Sequence, residues 1–430
     1  MKTTALLLLM AVALPHLGMA QAPPPPPAAP SVQDPVAATE AYLARLSPEQ
    51  RAKSDSYFEG GYWLILWDFL YGLGVAALLL GTGLSARMRN LAERAVRFRP
   101  VQVFLYWLQY LVLTTLLTFP LVLYAGFFRE HKYGLSNQTF PEWLIDLLKG
   151  VAVGALLGGL AVVGIYAIFR KFPRTWWVWG TVAAVVFLVF VMLIAPVFIA
   201  PLFNTYTELK DANLRGPILS LARANGIPAE HVYVFDASKQ SNRVSANVSG
   251  ALGTMRISLN DNLLNRVSPA GVKSVMGHEM GHYVLNHVYK FILEVGVLFA
   301  VVFALLQRGL AAAVARWGTG WRVRGVSDVA GLPVLACILG LLFLLATPVT
   351  NSMIRSQETE ADMYGLNASR QPDGFARAAL HLAESRKMKP GPIEELIFFD
   401  HPSGLDRIRR SMVWKAEHLK DPDMVVQGNL

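Results

Sequence analysis

The chain has 430 residues, 53% of them hydrophobic and only 16% charged, with a formal net charge of +9, a composition that excludes an ordinary soluble globular protein and points to a polytopic membrane protein. Long apolar runs occupy so much of it that the soluble remainder is about one modest domain. The positive charge does not read as a nucleic-acid interface, because the arginines cluster beside the apolar runs and no stretch interleaves basic and aromatic residues on a soluble face.

Lys2, the apolar run Ala5 to Leu14 and the small-x-small ending Gly18-Met19-Ala20-Gln21-Ala22 resemble a bacterial signal peptide over residues 1–22, or else a short first membrane helix. Pro23 to Pro27 then open a stiff linker and N-terminal segment that runs to residue 60. Six apolar segments follow. Four lie within residues 61–203, at Tyr62 to Leu84, Val101 to Phe128, Val151 to Phe169 and Trp176 to Phe203; two lie within 291–349, at Phe291 to Leu306 and Val329 to Val349. The fifth is short, bracketed by Glu294 and Arg308, so its helix is expected to continue from the polar helix before it. The only cysteine, Cys337, sits in the last run, which leaves no internal disulfide and confines any metal to histidine and carboxylate ligands.

The links after the first, third and fifth spans carry twelve lysines and arginines, among them Arg89, Arg174 and Arg322, against three on the opposite side, Arg129, Lys132 and Lys149. Positive residues favour the cytoplasm, so the polar stretches 204–290 and 350–430 both fall on the other face and can join as one catalytic part. In the first stretch, Leu214 to Ala224 has helical spacing, and His231 to Phe235, Val244 to Ser249 and Met255 to Leu259 read as strands, with Gly250 and Gly253 turning between the last two. Ser268-Pro269 marks a helix start.

That helix carries His278-Glu279-Met280-Gly281-His282. Residues four apart share one helical face, so both imidazoles can reach one ion, while Glu279, about 100° round the helix, can take a proton from water activated by it. After the last span, Glu358-Thr359-Glu360-Ala361-Asp362 sets two more carboxylates four apart. Catalytic zinc commonly takes two His and one Glu and keeps a position open, so Glu358 completes a set for one zinc ion per chain, and Asp362 can accept the free ring N–H of a ligating histidine. Glu360 points elsewhere. His287, nine positions beyond His278, falls about 180° round a continuous helix and reads as structural or interfacial. Asp68 and Glu294, within or beside spans, either face an aqueous cavity or sit at the interface.

These motifs, with Arg256 to Asp261, Asp400-His401-Pro402 and Arg407, resemble the type I CAAX prenyl proteases, integral-membrane zinc metallopeptidases with the HtpX membrane proteases as more distant relatives; the match begins near Tyr62. The resemblance implies a mainly α fold, a polytopic membrane helix bundle enclosing a chamber, with an α+β zincin-like catalytic domain bearing a small sheet. Eukaryotic members have seven spans, a departure from the six read here. By the same resemblance, His401 hydrogen-bonds the developing oxyanion with Arg407 nearby, and Ser245, Ala246, Asn247 and Val248 form the strand that pairs with substrate. Ser245 and Asn247 stand where the family more often has asparagine and an aromatic.

The expectation is a zinc metalloendopeptidase that uses Glu279 as general base on membrane-associated or secreted polypeptides. It lies in the lipid bilayer of a bacterial inner membrane, with the catalytic part in the periplasm and no nucleic-acid partner. The rivals are a transporter or scaffold with a structural zinc, disfavoured because such sites fill four positions with protein ligands and only three good ones are visible, and a protease with its histidines inside a span, disfavoured by Asn286, His287 and Lys290 beside the motif.

Overall fold

Among the described residues, six helices are long and apolar enough to cross a membrane. They belong to a computed structural model that describes residues 34–249 and 255–418; the expected signal peptide, the proline tract and the turn expected at Gly250 and Gly253 lie outside the described residues. Helix α1 (Pro48–Gly81) starts well before its apolar run, because Ser47 and Gln50 cap each other's backbone and Pro48 holds the first helical position. Helix α2 (Arg99–Lys132) passes through a π-helical turn at Tyr124–Phe128, shortly after Pro120 breaks its ladder. Helices α3 (Phe140–Lys171) and α4 (Trp176–Phe203) complete the first four.

A four-stranded sheet follows, in the order β1-β2-β4-β3, from β1 (Tyr206–Glu208), β2 (Val232–Phe235), β3 (Ala246–Ser249) and β4 (Arg256–Asn260). Strands β2 and β4 are parallel, and the outer pairs are antiparallel. The three-residue β1 carries no pattern of its own; it exists because Tyr206 to Glu208 find the backbone of Phe235 to Tyr233 opposite them. Helix α5 (Pro269–Val284) lays Val272, Met276 and Met280 on Val232, Ile257 and Leu259 of the sheet. Helix α6 (His287–Trp321) and helix α7 (Leu332–Ser369) are the last two long apolar helices, and α8 (Gly404–Glu417) ends the described chain.

Helix α6 is not the continuation of α5 that its short apolar stretch predicts. The polar helix stops at Val284, and Asn286 takes a left-handed φ of 57°, a conformation that asparagine tolerates better than most residues. This pivot restarts the chain at His287.

The bundle gathers its arginine-rich links at one end. Arg89 reaches the Asp328 carboxylate and the Arg322 carbonyl (3.1 Å), and Gln307 donates to the Arg174 carbonyl at 3.0 Å. At the other end, the link after α2 joins the sheet: Asn137 Nδ2 donates to the Ser238 carbonyl at 2.8 Å, and Gln240 Nε2 donates to Asp146 at 2.9 Å. The first polar stretch therefore sits at this end, and the second joins it through Glu384, paired with Arg266.

Beside this junction, Glu384 lies 3.2 Å from Arg266, yet burial pushes its carboxyl up to about 8, against the pull of Arg266 and Lys53. A group whose folded pKa is raised favours folding below its unfolded pKa and loses that contribution as pH rises through the folded value. Glu384→Gln should therefore melt above the parent at pH 8 to 9 and converge with it below pH 4.5. Thermal melts in detergent at both ends of that window check it, and equal melting temperatures at pH 9 would refute it.

Candidate metal centre

Ser268 caps α5 through the Gly271 N–H, and Pro269 occupies its first helical position, which sets the phase in which His278 and His282 share one face. That face presses on α7 because the contact is made by residues almost without side chains. A Cβ added to Gly277 would lie 2.9 Å from the Gly365 carbonyl oxygen, and one on Gly365 would lie 2.7 Å from the His278 amide nitrogen. A Cβ on Gly281 would lie somewhat farther off, 3.2 Å from the Ala361 Cα. Backbones meeting this closely bring Glu358 and Asp362, one turn apart on α7, up against the two imidazoles.

His278 Nε2 stands 3.2 Å from Glu358 Oε2, His282 Nε2 is 3.4 Å from Glu358 Oε1, and the two Nε2 atoms are 3.2 Å apart. All three donor groups lie within 4.8 Å of one another. Donors held about 2.0–2.1 Å from one tetrahedral ion are separated by about 3.4 Å, so the spacing fits zinc. The chemistry fits too, since Glu358 Oε2 is buried without a hydrogen-bond partner and two His with one Glu is a catalytic zinc set.

Around this triad the electrostatics divide. Burial pulls the His278 pKa down, but hydrogen bonds and charge from Asp362 and Glu358 outweigh it and hold the ring at about 10; His282, without a carboxylate bonded to its ring, is driven by burial down to about 3. Asp362 Oδ1 lies 2.8 Å from His278 Nδ1. Glu279, beside the pair, is pushed up to about 7, chiefly by burial, with Glu358 adding to it and His278 and Arg407 opposing.

His401 is buried, with Nε2 3.2 Å from Glu358 Oε2 and Nδ1 2.8 Å from Asp400 Oδ1. Its Nε2 has no hydrogen-bond partner. Asp400, absent from the expectation except as part of a motif, orients this ring. Arg407, which the resemblance puts near His401, donates from its guanidinium to Asp362 Oδ1, where α8 packs on α7.

His287 departs from its expected placement. The pivot at Asn286 swings it back, so that its Nδ1 lies 2.9 Å from His282 Nδ1 and its Nε2 lies 3.0 Å from Glu360. The 180° placement assumed an unbroken helix. Glu360, expected to point elsewhere, faces His287 and accepts from Lys290 at 2.8 Å.

Neither Asp68 nor Glu294 belongs to the triad, and Glu294 accepts from Gln357, the residue before Glu358, at 2.7 Å. Strand β3 packs on α5 as an edge strand, with Ala246, Asn247 and Val248 paired to Leu259, Ser258 and Ile257 of β4. Ser245 precedes it, and its carbonyl accepts the Asn260 N–H at 2.9 Å.

Two family models match end to end: Peptidase family M48 over residues 208–414, and the CAAX prenyl protease N-terminal region, described as five membrane helices, over 32–205. Among the described residues of that region, four helices are long and apolar enough to cross. A Bacillus subtilis protein named as an uncharacterized metalloprotease, YhfN, is 30% identical over 352 residues, 80% of this chain and 82% of its own. The chain belongs to the M48 peptidases of the CAAX prenyl protease family. CAAX prenyl protease 1 of Saccharomyces cerevisiae is 34% identical over 194 residues, which is 45% of this chain and 43% of the yeast one. The crystal structure of S. mikatae Ste24p shares the fold, with a TM-score of 0.73 at 24% identity over 85% of this chain and 89% of that one. This CAAX prenyl protease family member is a membrane zinc metalloprotease.

The residues that reading by motif passes over are His287, Glu360 and the glycines. Gly277 and Gly281 directly precede the two motif histidines and repeat at the four-residue spacing of one helical face. That repeat was the available signal for a close helix contact.

Proposed function

We propose that the chain hydrolyses peptide bonds within membrane-associated or secreted polypeptides, using one zinc held by His278, His282 and Glu358. The convergence of those donors, from α5 and α7, within 4.8 Å carries the reading. Zinc at such a site supplies Lewis acidity toward water and a peptide carbonyl. Glu279 takes the proton from the attacking water and delivers it to the leaving amine. His401, its Nδ1–H held by Asp400, donates from Nε2 to the oxyanion with both ring nitrogens protonated, while Arg407 steadies Asp362 and through it the His278 ring. Asp362 acts as the acceptor that keeps His278 Nε2 free for the metal.

The arginine-rich links gathered at one end support an orientation with the catalytic half in the periplasm of a bacterial inner membrane. Such a placement favours membrane or secreted polypeptides over prenylated ones. Chelation should abolish cleavage of a test peptide, and about one equivalent of zinc should restore it. Undiminished activity of protein shown by elemental analysis to be free of metal would overturn the proposal.

Substrate is expected to add to the open edge of β3, along Ser245, Ala246, Asn247 and Val248, by backbone pairing. The lead-in to that strand is tied to the membrane helices, since Arg243 Nη2 donates to the Tyr57 hydroxyl at 2.7 Å and to Glu130 at 2.8 Å. Arg243→Ala should loosen this edge and raise KM about 10-fold with a smaller change in kcat, because displacing a binding element weakens alignment of the scissile bond. Steady-state kinetics decide, and an unchanged KM would sink it.

A further inference from the structure

We infer that His287 and Glu360 form a positioning relay that sets the tautomer of His282 and so frees its Nε2 for the metal. The inference rests on the reading of His282 as a zinc ligand. Two ring nitrogens stand 2.9 Å apart, His282 Nδ1 and His287 Nδ1, so one must donate and the other accept. The direction is set at the far end of the chain. Glu360 lies 3.0 Å from His287 Nε2 and accepts from Lys290 Nζ at 2.8 Å, so it is an ionised acceptor. His287 therefore carries its proton on Nε2 and turns the Nδ1 lone pair toward His282. His282 must then carry its proton on Nδ1, which leaves its Nε2 lone pair facing His278 Nε2 and Glu358 Oε1, at 3.2 Å and 3.4 Å.

His278 reaches the same state in one step, through Asp362 at 2.8 Å. The two ligand histidines are thus oriented by carboxylates from the same helix, Asp362 directly and Glu360 through an interposed imidazole. The left-handed Asn286 makes the second route possible, because it alone turns His287 back onto His282.

The test uses full-length protein in detergent, with zinc affinity measured by competition with a chelator and the visible spectrum of the cobalt-substituted protein as a second readout. His287→Ala and Glu360→Ala should each weaken zinc binding about 10- to 100-fold and change the cobalt spectrum, the usual consequence of removing a partner of a ligand. His287→Gln, whose amide oxygen can accept from His282 Nδ1, should recover most of that loss. Glu360 is 44% exposed, so its variant tests the relay even where the buried His287 does not tolerate alanine. Parent affinity and parent spectrum in Glu360→Ala and His287→Ala would overturn the relay. His282→Ala separates the two readings: if it binds zinc as the parent does, the ligand assignment itself fails, and if it alone loses zinc, only the relay fails.

Discussion

Glu279→Gln should retain zinc and lose about 100- to 10,000-fold in kcat, the range that a positioned general base contributes. The side chain is isosteric, so α5 and the contact with α7 are preserved, and the ligands His278 and His282 keep their places on the helix. What is removed is the group able to take a proton. Burial holds Glu279 at about 7 in the folded protein, which suits a residue that must both accept and return a proton near neutrality. Metal content by elemental analysis and single-turnover cleavage of a peptide test this together. A variant that is zinc-loaded and cleaves at the parent's rate would exclude Glu279 as the base.

Gly365→Ala should act at a distance from any reacting atom and still disable the centre. Its new methyl group would stand 2.7 Å from the His278 amide nitrogen and 2.9 Å from its Cα, and backbone atoms cannot rotate aside as a flexible side chain does. The helices α5 and α7 must therefore separate, which carries Glu358 away from the histidines. Overpacking of this kind costs about 1–3 kcal/mol in stability. Zinc affinity should fall with it, since the ligands come from both sides of the contact. A lowered melting temperature in detergent with reduced zinc content would match, and parent values of both would show that the helices have room to spare.

The metal centre was legible where chemistry is written in spacing. His278 and His282 share a face because they are four apart, and the acidic segment at Glu358 is distinct enough to pair with them, so zinc and the family could be anticipated. His287 was illegible for a local reason: one asparagine in the left-handed region ends a helix, and nothing in the hydrophobic pattern announces it. Arg407 could be placed near His401 by resemblance, but its bond to Asp362 depends on the packing of α8 on α7, a tertiary property. The glycines of the helix contact act through what they lack, and motif reading attends to side chains that are present. In the sheet, β1 depends wholly on a partner strand, which is a tertiary property.

Helix α7 runs from Leu332 to Ser369, so the carboxylate of Glu358 is mounted on the same helix as the last apolar segment. Pro348, near the end of that segment, removes a hydrogen bond from the ladder without ending the helix. A bilayer thinner or thicker than the apolar length of that helix is accommodated by tilt, and such tilt is expected to move Glu358. The surrounding lipid is thereby expected to bear on the candidate metal centre through the helix that carries Glu358.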